Sequence, residues 1–307
     1  MIKSEKLVIL FGPKFNYLVK ESVKSVREAK AVYSIDDGLD TPLVGPWSEK
    51  KYSLVGLYDE LFATGMKNIW TRVYIDLFAG AGKVKIEGTD KILLGSPLLA
   101  LNVPDRFDRY IFCEQNPARL DVLKSRVRKD YPNADVHFLG DCNENVEGIL
   151  GLIPTPSKEK KVLTFCFVDP YSLNLDFSTI KKLSVRFVDF LTLLALAMDG
   201  VRNEKIYVEE NHDRIDRFLG DPNWRPRWEE ASKVDSSFMR FLAQEYVARM
   251  ISLRYGKESL RTMEPVRSDK NNLPLYHLAF FSRDPKGYKF WKEARKYHSD
   301  QTALDFG

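Results

Sequence analysis

Between residues 72 and 194 the chain alternates five short apolar runs with helix-like segments, and acids gather at the far ends of the runs. The runs are Val73–Phe78, Arg109–Cys113, Asp135–Leu139, Val162–Val168 and Phe187–Leu194. Each run predicts a strand and each interval a crossover, so the strands should lie parallel in one sheet. A longer segment, 199–234, predicts loops carrying aromatic residues. A helix is predicted over Asp235–Arg254. Two strand patterns, Arg261–Val266 and Tyr276–Phe281, can then pair antiparallel, and a helix over Lys286–Tyr297 closes the chain. The expected fold is α/β: a doubly wound, mostly parallel seven-stranded sheet.

Residues 1–45 read as a helical extension and connector, and 46–307 as the main domain. A mixed-charge helix is predicted over Lys14–Ala31, then a turn-rich connector at Asp36-Asp37-Gly38-Leu39-Asp40-Thr41-Pro42. A second helix opens at Trp47-Ser48, with Ser48 as candidate cap, and presents Leu54, Leu57, Tyr58, Leu61 and Phe62 at helical spacing. Lys83–Leu94 predicts a long loop. Ser96-Pro97 predicts a helix start with Ser96 as its cap, and Asn116 should cap a helix over Pro117–Asp130.

Ligands of such sheets sit outside the carboxyl ends of the strands. There the first run delivers Asp76-Leu77-Phe78-Ala79-Gly80-Ala81-Gly82. Its glycines let backbone approach a ligand where a Cβ would collide. Asp76 offers a carboxylate to a cationic group, or simply ends a tight turn. Glu114 ends the second run, where an acid accepts ribose hydroxyls, or else favours the helix that follows. Asp141, just past the third run and followed by Cys142, is either an acceptor for a ligand amine or a cap. Asp169-Pro170-Tyr171 ends the fourth run and is the candidate catalytic edge. It is otherwise a strand-ending turn.

Trp224-Arg225-Pro226-Arg227-Trp228 mixes cation and aromatic, as surfaces that hold phosphates and stack bases do. Trp224, Arg225, Arg227 and Trp228 are therefore candidate substrate contacts. The same pattern also describes aromatics packed inward beneath solvated charges. Two helices with similar mixtures, over 117–130 and 286–297, fit that second description better.

At 44% hydrophobic and 29% charged, 307 residues can bury an ordinary core. A net charge of +4 permits a nucleic-acid partner. Cys113, Cys142 and Cys166 form no C-x-x-C pair, and their odd number argues against a disulfide framework, so a reducing cytoplasm is expected. No cysteine follows a proline, which disfavours a cysteine nucleophile attacking a base. The four histidines show no ligand spacing, and no metal is expected. The longest apolar run, Phe190 to Met198, is too short to span a bilayer, so no membrane association is expected.

The D-x-F-x-G-x-G form of Asp76, Phe78, Gly80 and Gly82 resembles motif I of S-adenosylmethionine (SAM)-dependent methyltransferases. Asp169-Pro170-Tyr171 resembles the D-P-P-Y motif of amino-methyltransferases acting on adenine or cytosine, with one proline where that motif has two. Taken with Asp36–Leu39, Val44–Lys50, Gly95-Ser96-Pro97 and Leu278–Trp291, the ordered set resembles the three-Cys-motif partner proteins (TcmP) over about 260 residues. The resemblance implies a Rossmann-like class I methyltransferase fold and SAM as cofactor. Asp76 would lie near the methionine amino group and Asp141 near the adenine amine. It also implies a three-Cys-motif partner protein encoded nearby. The expected function is methyl transfer from SAM to a nucleic-acid base nitrogen. The alternative is a non-catalytic module that docks a partner protein or nucleic acid.

Overall fold

A computed structural model describes residues 32–209, 211–234, 236–268 and 274–304 of the chain. The helix expected over Lys14–Ala31 lies outside them.

Among the described residues, eleven strands fall into two sheets. β3 (Thr71–Asp76) is the centre of the main one. It pairs in parallel with β6 (Arg109–Cys113) on one side and β8 (Val162–Val168) on the other. β7 (Val136–Leu139) extends the first side and β9 (Val188–Leu194) the second, both parallel. β11 (Pro274–Phe281) runs antiparallel between β9 and β10 (Glu264–Arg267). The full order is β10-β11-β9-β8-β3-β6-β7, the doubly wound, mostly parallel seven-stranded sheet expected from the sequence.

Alternate residues of the central strands bury on opposite faces. Val73, Ile75, Ile111 and Cys166 join one core. Tyr74, Phe112 and Phe165 join the other, which is unusually aromatic. Strands covered on both faces read as continuous apolar runs rather than alternating ones, which is why the runs were so legible. Helices α1 (Ser48–Met66), α2 (Ser96–Asn102), α3 (Pro117–Asp130) and α11 (Pro285–Leu304) contribute to the aromatic core. On the other side lie α4 (Val146–Leu152), α5 (Phe177–Leu183), α7 (Arg214–Leu219), α8 (Arg225–Lys233) and α9 (Phe238–Ser252).

Several elements differ from expectation. Lys83–Leu94 is not a loop. It folds as a hairpin of β4 (Lys83–Ile86) and β5 (Ile92–Leu94), turning at Gly88 with φ +75°. This hairpin captures the connector: β1 (Tyr33–Ser34) pairs with β5 and β2 (Leu43–Val44) with β4, making a second, four-stranded sheet. Segment 199–234 also carries structure. The chain makes a π-helical turn at Leu196–Val201, then α6 (Glu204–Tyr207), α7 and α8. These pieces are too short for a periodic signal. Arg261 does not begin a strand. It lies in α10 (Ser259–Thr262), and β10 starts at Glu264.

Helix caps divide similarly. Asn116 caps α3 as predicted, accepting from the N–H groups of Ala118 and Arg119. Ser48 and Ser96 do not cap. The flanking residues are Trp47 and Gly95, and both serines are buried within the first turn.

Candidate functional site at the carboxyl edge of the sheet

Asp76 is the last residue of β3 and is fully buried. Its Oδ1 accepts from the Phe78 N–H at 3.1 Å, while Oδ2 has no hydrogen-bond partner among the described residues. Burial pushes the carboxyl up to about 7, against the pull of the Ser96 hydroxyl and the Phe78 N–H, and the charges of Asp169 and Glu114 raise it further. A buried carboxylate oxygen lacking a donor is costly, and it fits a ligand that brings a cation.

The glycine loop rises beside it. Gly80 has φ +61° with open space where a Cβ would stand, and its N–H donates to Glu114 Oε2 at 2.9 Å. Gly82 has φ +87°, and a Cβ there would lie 2.8 Å from Leu123 of α3. Gly80 therefore keeps the loop open, and Gly82 lets α3 pack against it. Glu114 is tied at its other oxygen to the Asn116 N–H at 2.8 Å, so one carboxylate fixes the glycine loop to the next strand end. Both oxygens retain lone pairs that can accept a vicinal diol.

Asp141 Oδ1 accepts from the Asn143 N–H at 2.7 Å and closes the turn after β7, but it does not cap α4, whose flanking residue is Asn145. The Cys142 side chain is buried, and burial pushes its thiol up to about 12. Cys113 and Cys166 are raised by burial too. None of the three is a thiolate at neutral pH, which disfavours cysteine nucleophilic catalysis.

Asp169 follows β8 and is held by a residue the sequence reading did not single out. Lys51 Nζ, on α1, lies 2.6 Å from Asp169 Oδ2, and the two side chains are 8% and 14% exposed. Burial is the largest single influence and opposes the ammonium, but the Asp169 carboxylate together with Tyr52 and Tyr276 raises the Lys51 pKa. Pro170 is buried beside it, whereas the Tyr171 ring is 95% exposed. The signal for Lys51 was present: residues 51, 54, 58 and 61 share one helical face, and a lysine in an apolar stripe needs a partner.

The connector roofs the same loop. Arg126 of α3 is 2% exposed and donates to both carboxylate oxygens of Asp37, at 2.9 and 2.7 Å, and to the Ala81 carbonyl at 2.6 Å. Lys83 adds a second cation at 2.9 Å from Asp37. The Arg126 guanidinium holds the Asp37 carboxyl well below the usual range.

The structure gathers Asp76, Gly80, Gly82, Glu114, Asp141 and Asp169 along consecutive parallel strand ends. It does not bring the W-R-P-R-W segment to them by any hydrogen bond. Trp224 is fully buried with its indole N–H donating to Asp216 at 2.7 Å, and Trp228 packs on Phe238 and Phe241. Arg225 donates to Asp216 and to the carbonyls of Tyr207, Val208, Glu209 and His212. Arg227 pairs with Asp221 and Glu245. This is the inward-packed arrangement. It clamps α7, α8 and α9 together.

No family model matches the chain, and no curated protein matches it. Solved structures resemble it at a distance. A protein from Legionella pneumophila has 14% identity and a TM-score of 0.46 over 81% of this chain and 89% of its own. An O-methyltransferase from Bacillus cereus, in complex with SAH, has 13% identity and a TM-score of 0.44 over 85% and 90%. A geranyl diphosphate methyltransferase, in complex with GPP and sinefungin, has 11% identity and a TM-score of 0.40 over 86% and 100%. The strand order, and not these likenesses, carries the fold. No helix among the described residues is long and apolar enough to cross a membrane.

Proposed function

We propose that this chain binds SAM at the carboxyl edge of its sheet and is a methyltransferase. The observation that carries the reading is Asp76: a fully buried carboxylate, at the end of the central strand and beside a positive-φ glycine loop, with one oxygen unpartnered among the described residues. An ammonium group supplies what that oxygen lacks. The cofactor would bring one on its methionine end, and a ribose diol within reach of Glu114. Asp141, with its turn already closed through Oδ1, would offer Oδ2 to the adenine amine.

When bound, SAM would supply a methyl group activated by its sulfonium charge. The protein's part is alignment and exclusion of water. Asp169, fixed through Oδ2 by Lys51, would accept an acceptor N–H at Oδ1 and orient that nitrogen. The proton the nitrogen sheds would leave along the same contact. Tyr171, exposed at the rim, would stack on a planar acceptor. Those two roles, with the D-P-Y motif, favour a nucleic-acid base nitrogen as target. A base in duplex would have to be extruded to reach them.

A non-catalytic module is the second reading, and one observation favours it: the candidate catalytic acid is already engaged in a buried ion pair. The partner would then be a protein, of the three-Cys-motif kind by the sequence resemblance, or a nucleic acid.

Calorimetry with SAM and with its demethylated product tests the cofactor. A radiolabelled methyl assay on DNA, RNA and protein tests the acceptor. Asp76→Ala should abolish SAM binding, and Asp169→Ala should abolish turnover while sparing binding. No SAM binding by the intact chain sinks the methyltransferase reading. Binding with label entering only protein removes the nucleic-acid target.

A further inference from the structure

At the opposite, amino-terminal end of the sheet, a cavity of about 120 Å³ lies among α1, β8, β9 and α11. Tyr58 and Phe290 form buried walls. Trp70 and Phe187 lie stacked at its rim, centroids 6.3 Å apart and planes 6° from parallel. Into this aromatic lining β9 sets Asp189, which is 6% exposed. Asp284 and Lys286 line the cavity as well, so two acids share it with one cation.

Asp189 has no ion pair among the described residues to account for it. Arg283 is near enough for its charge to lower the Asp189 pKa, yet it gives its hydrogen bonds to the carbonyls of Ser184, Arg186 and Leu253. Burial pushes the Asp189 carboxyl up to about 7, the nearby Ser282 hydroxyl pulling the other way and Asp284 adding to the rise. An acid set in an aromatic wall is unfavourable for folding alone, because its charged form loses hydration without gaining a close ion pair. Aromatic walls with a carboxylate form the chemistry that recognises an ammonium on an apolar body.

Size restricts the ligand. An apolar cavity of about 150 Å³ accommodates benzene, so this one suits roughly six heavy atoms. We propose that the cavity is a binding site for a compact organic ammonium ion, its hydrocarbon part against the aromatic walls and its charge on Asp189. The site is separate from the carboxyl-edge acids and stands whether or not the chain binds SAM. One helix joins the two: α1 places Lys51 against Asp169 and Tyr58 in the cavity wall. Whether the ammonium is a free amine or a side chain presented by another protein is a matter of source, and the chemistry is shared.

Calorimetry on the full chain decides it, with cyclopentylammonium and the neutral isostere cyclopentanol as probes. The ammonium should bind at least about tenfold more tightly than the alcohol, and Asp189→Asn should erase that ratio. Phe187→Ala, at the exposed rim, should weaken both probes. A lysine-bearing peptide that competes with cyclopentylammonium would identify a protein source; one that does not leaves the free amine. Failure of the ammonium to bind at millimolar concentration, equal affinities for the two probes, or an unchanged ratio in Asp189→Asn overturns the proposal. The ratio in the unsubstituted chain needs no variant, so the result stands even if a substituted chain fails to fold.

Discussion

At the scale of single residues, the buried acids set the pH behaviour. Asp76 has its carboxyl raised to about 7, so below that pH it is protonated and cannot pair with an ammonium. SAM affinity should therefore rise with pH through about 7. It should fall again above roughly 8, where an α-amino group loses its own proton. Calorimetry between pH 5.5 and 9 checks this, and Asp76→Asn should flatten the acid limb. Stability of the unliganded chain runs the other way. A carboxyl raised above its unfolded value stabilises the fold at low pH, and that contribution is lost as pH rises through the folded value. Asp76 and Asp189 both sit at about 7. Each should cost up to about 4 kcal/mol between pH 4 and 8, an upper bound. Denaturant midpoints for the chain and for Asp76→Asn would read the difference, and a flat profile would refute it. The Lys51–Asp169 pair gives a third residue-scale test. Lys51→Met strands a buried carboxylate and should cost about 3 kcal/mol, whereas the double change with Asp169→Leu should recover much of it. A Lys51→Met chain as stable as the original would mean the pair is solvated.

At the scale of elements, helix α1 and the glycine loop carry the contrast between what sequence discloses and what it hides. The apolar stripe of α1 was readable, yet the same stripe holds Lys51 and Asp59. Spacing does not tell a partnered polar residue from an orphan. Lys51 found Asp169. Asp59 is fully buried and neither carboxyl oxygen has a hydrogen-bond partner among the described residues, with the Tyr74 hydroxyl and Asp76 Oδ2 likewise unpartnered. Burial, with the Asp76 charge, raises its carboxyl well above the usual range. Asp59→Leu should leave the fold intact and stabilise it by about 1–3 kcal/mol in urea. Destabilisation of that size would mean an ordered water or ion satisfies the acid. The glycine loop separates by position. Gly82→Ala meets Leu123 and the strain of positive φ, while Gly80→Ala meets the strain alone. The first should cost about 2–3 kcal/mol and the second about 1. The parallel strands and the acids at their ends were legible because both follow from local composition. The hairpin at Lys83–Leu94, the short helices of 199–234 and the burial of Trp224 were not. They depend on partners far along the chain, and a segment rich in arginine and tryptophan reads the same whether it faces solvent or core.

At the scale of the whole molecule, the four-stranded sheet turns an N-terminal connector into a roof over the glycine loop. The connector was readable as turns, but no local pattern says where a turn-rich strand will land. Arg126 decides it. One buried guanidinium joins Asp37, the carbonyls of Leu39 and Asp40, and the Thr41 hydroxyl to the Ala81 carbonyl of the loop. A lysine offers a point charge in place of that planar fork and could not reach so many acceptors. Arg126→Lys should thus loosen the roof without unfolding the main sheet, none of whose strands pairs with residues 36–42. The expected result is faster proteolytic cleavage within 36–42, with the thermal midpoint shifted much less. Because Asp37 is held well below the usual carboxylate range, the clamp's contribution is present above the unfolded value and is lost as pH falls toward the folded one. Cleavage of the unsubstituted chain at those residues should accordingly speed up in acid, using a protease active across that range. If SAM binds beneath the roof, saturating ligand should slow cleavage in the unsubstituted chain and protect Arg126→Lys less. Equal cleavage of both chains, at every pH tried, would mean that the strand pairings of β1 and β2 hold the connector and that the arginine only decorates it.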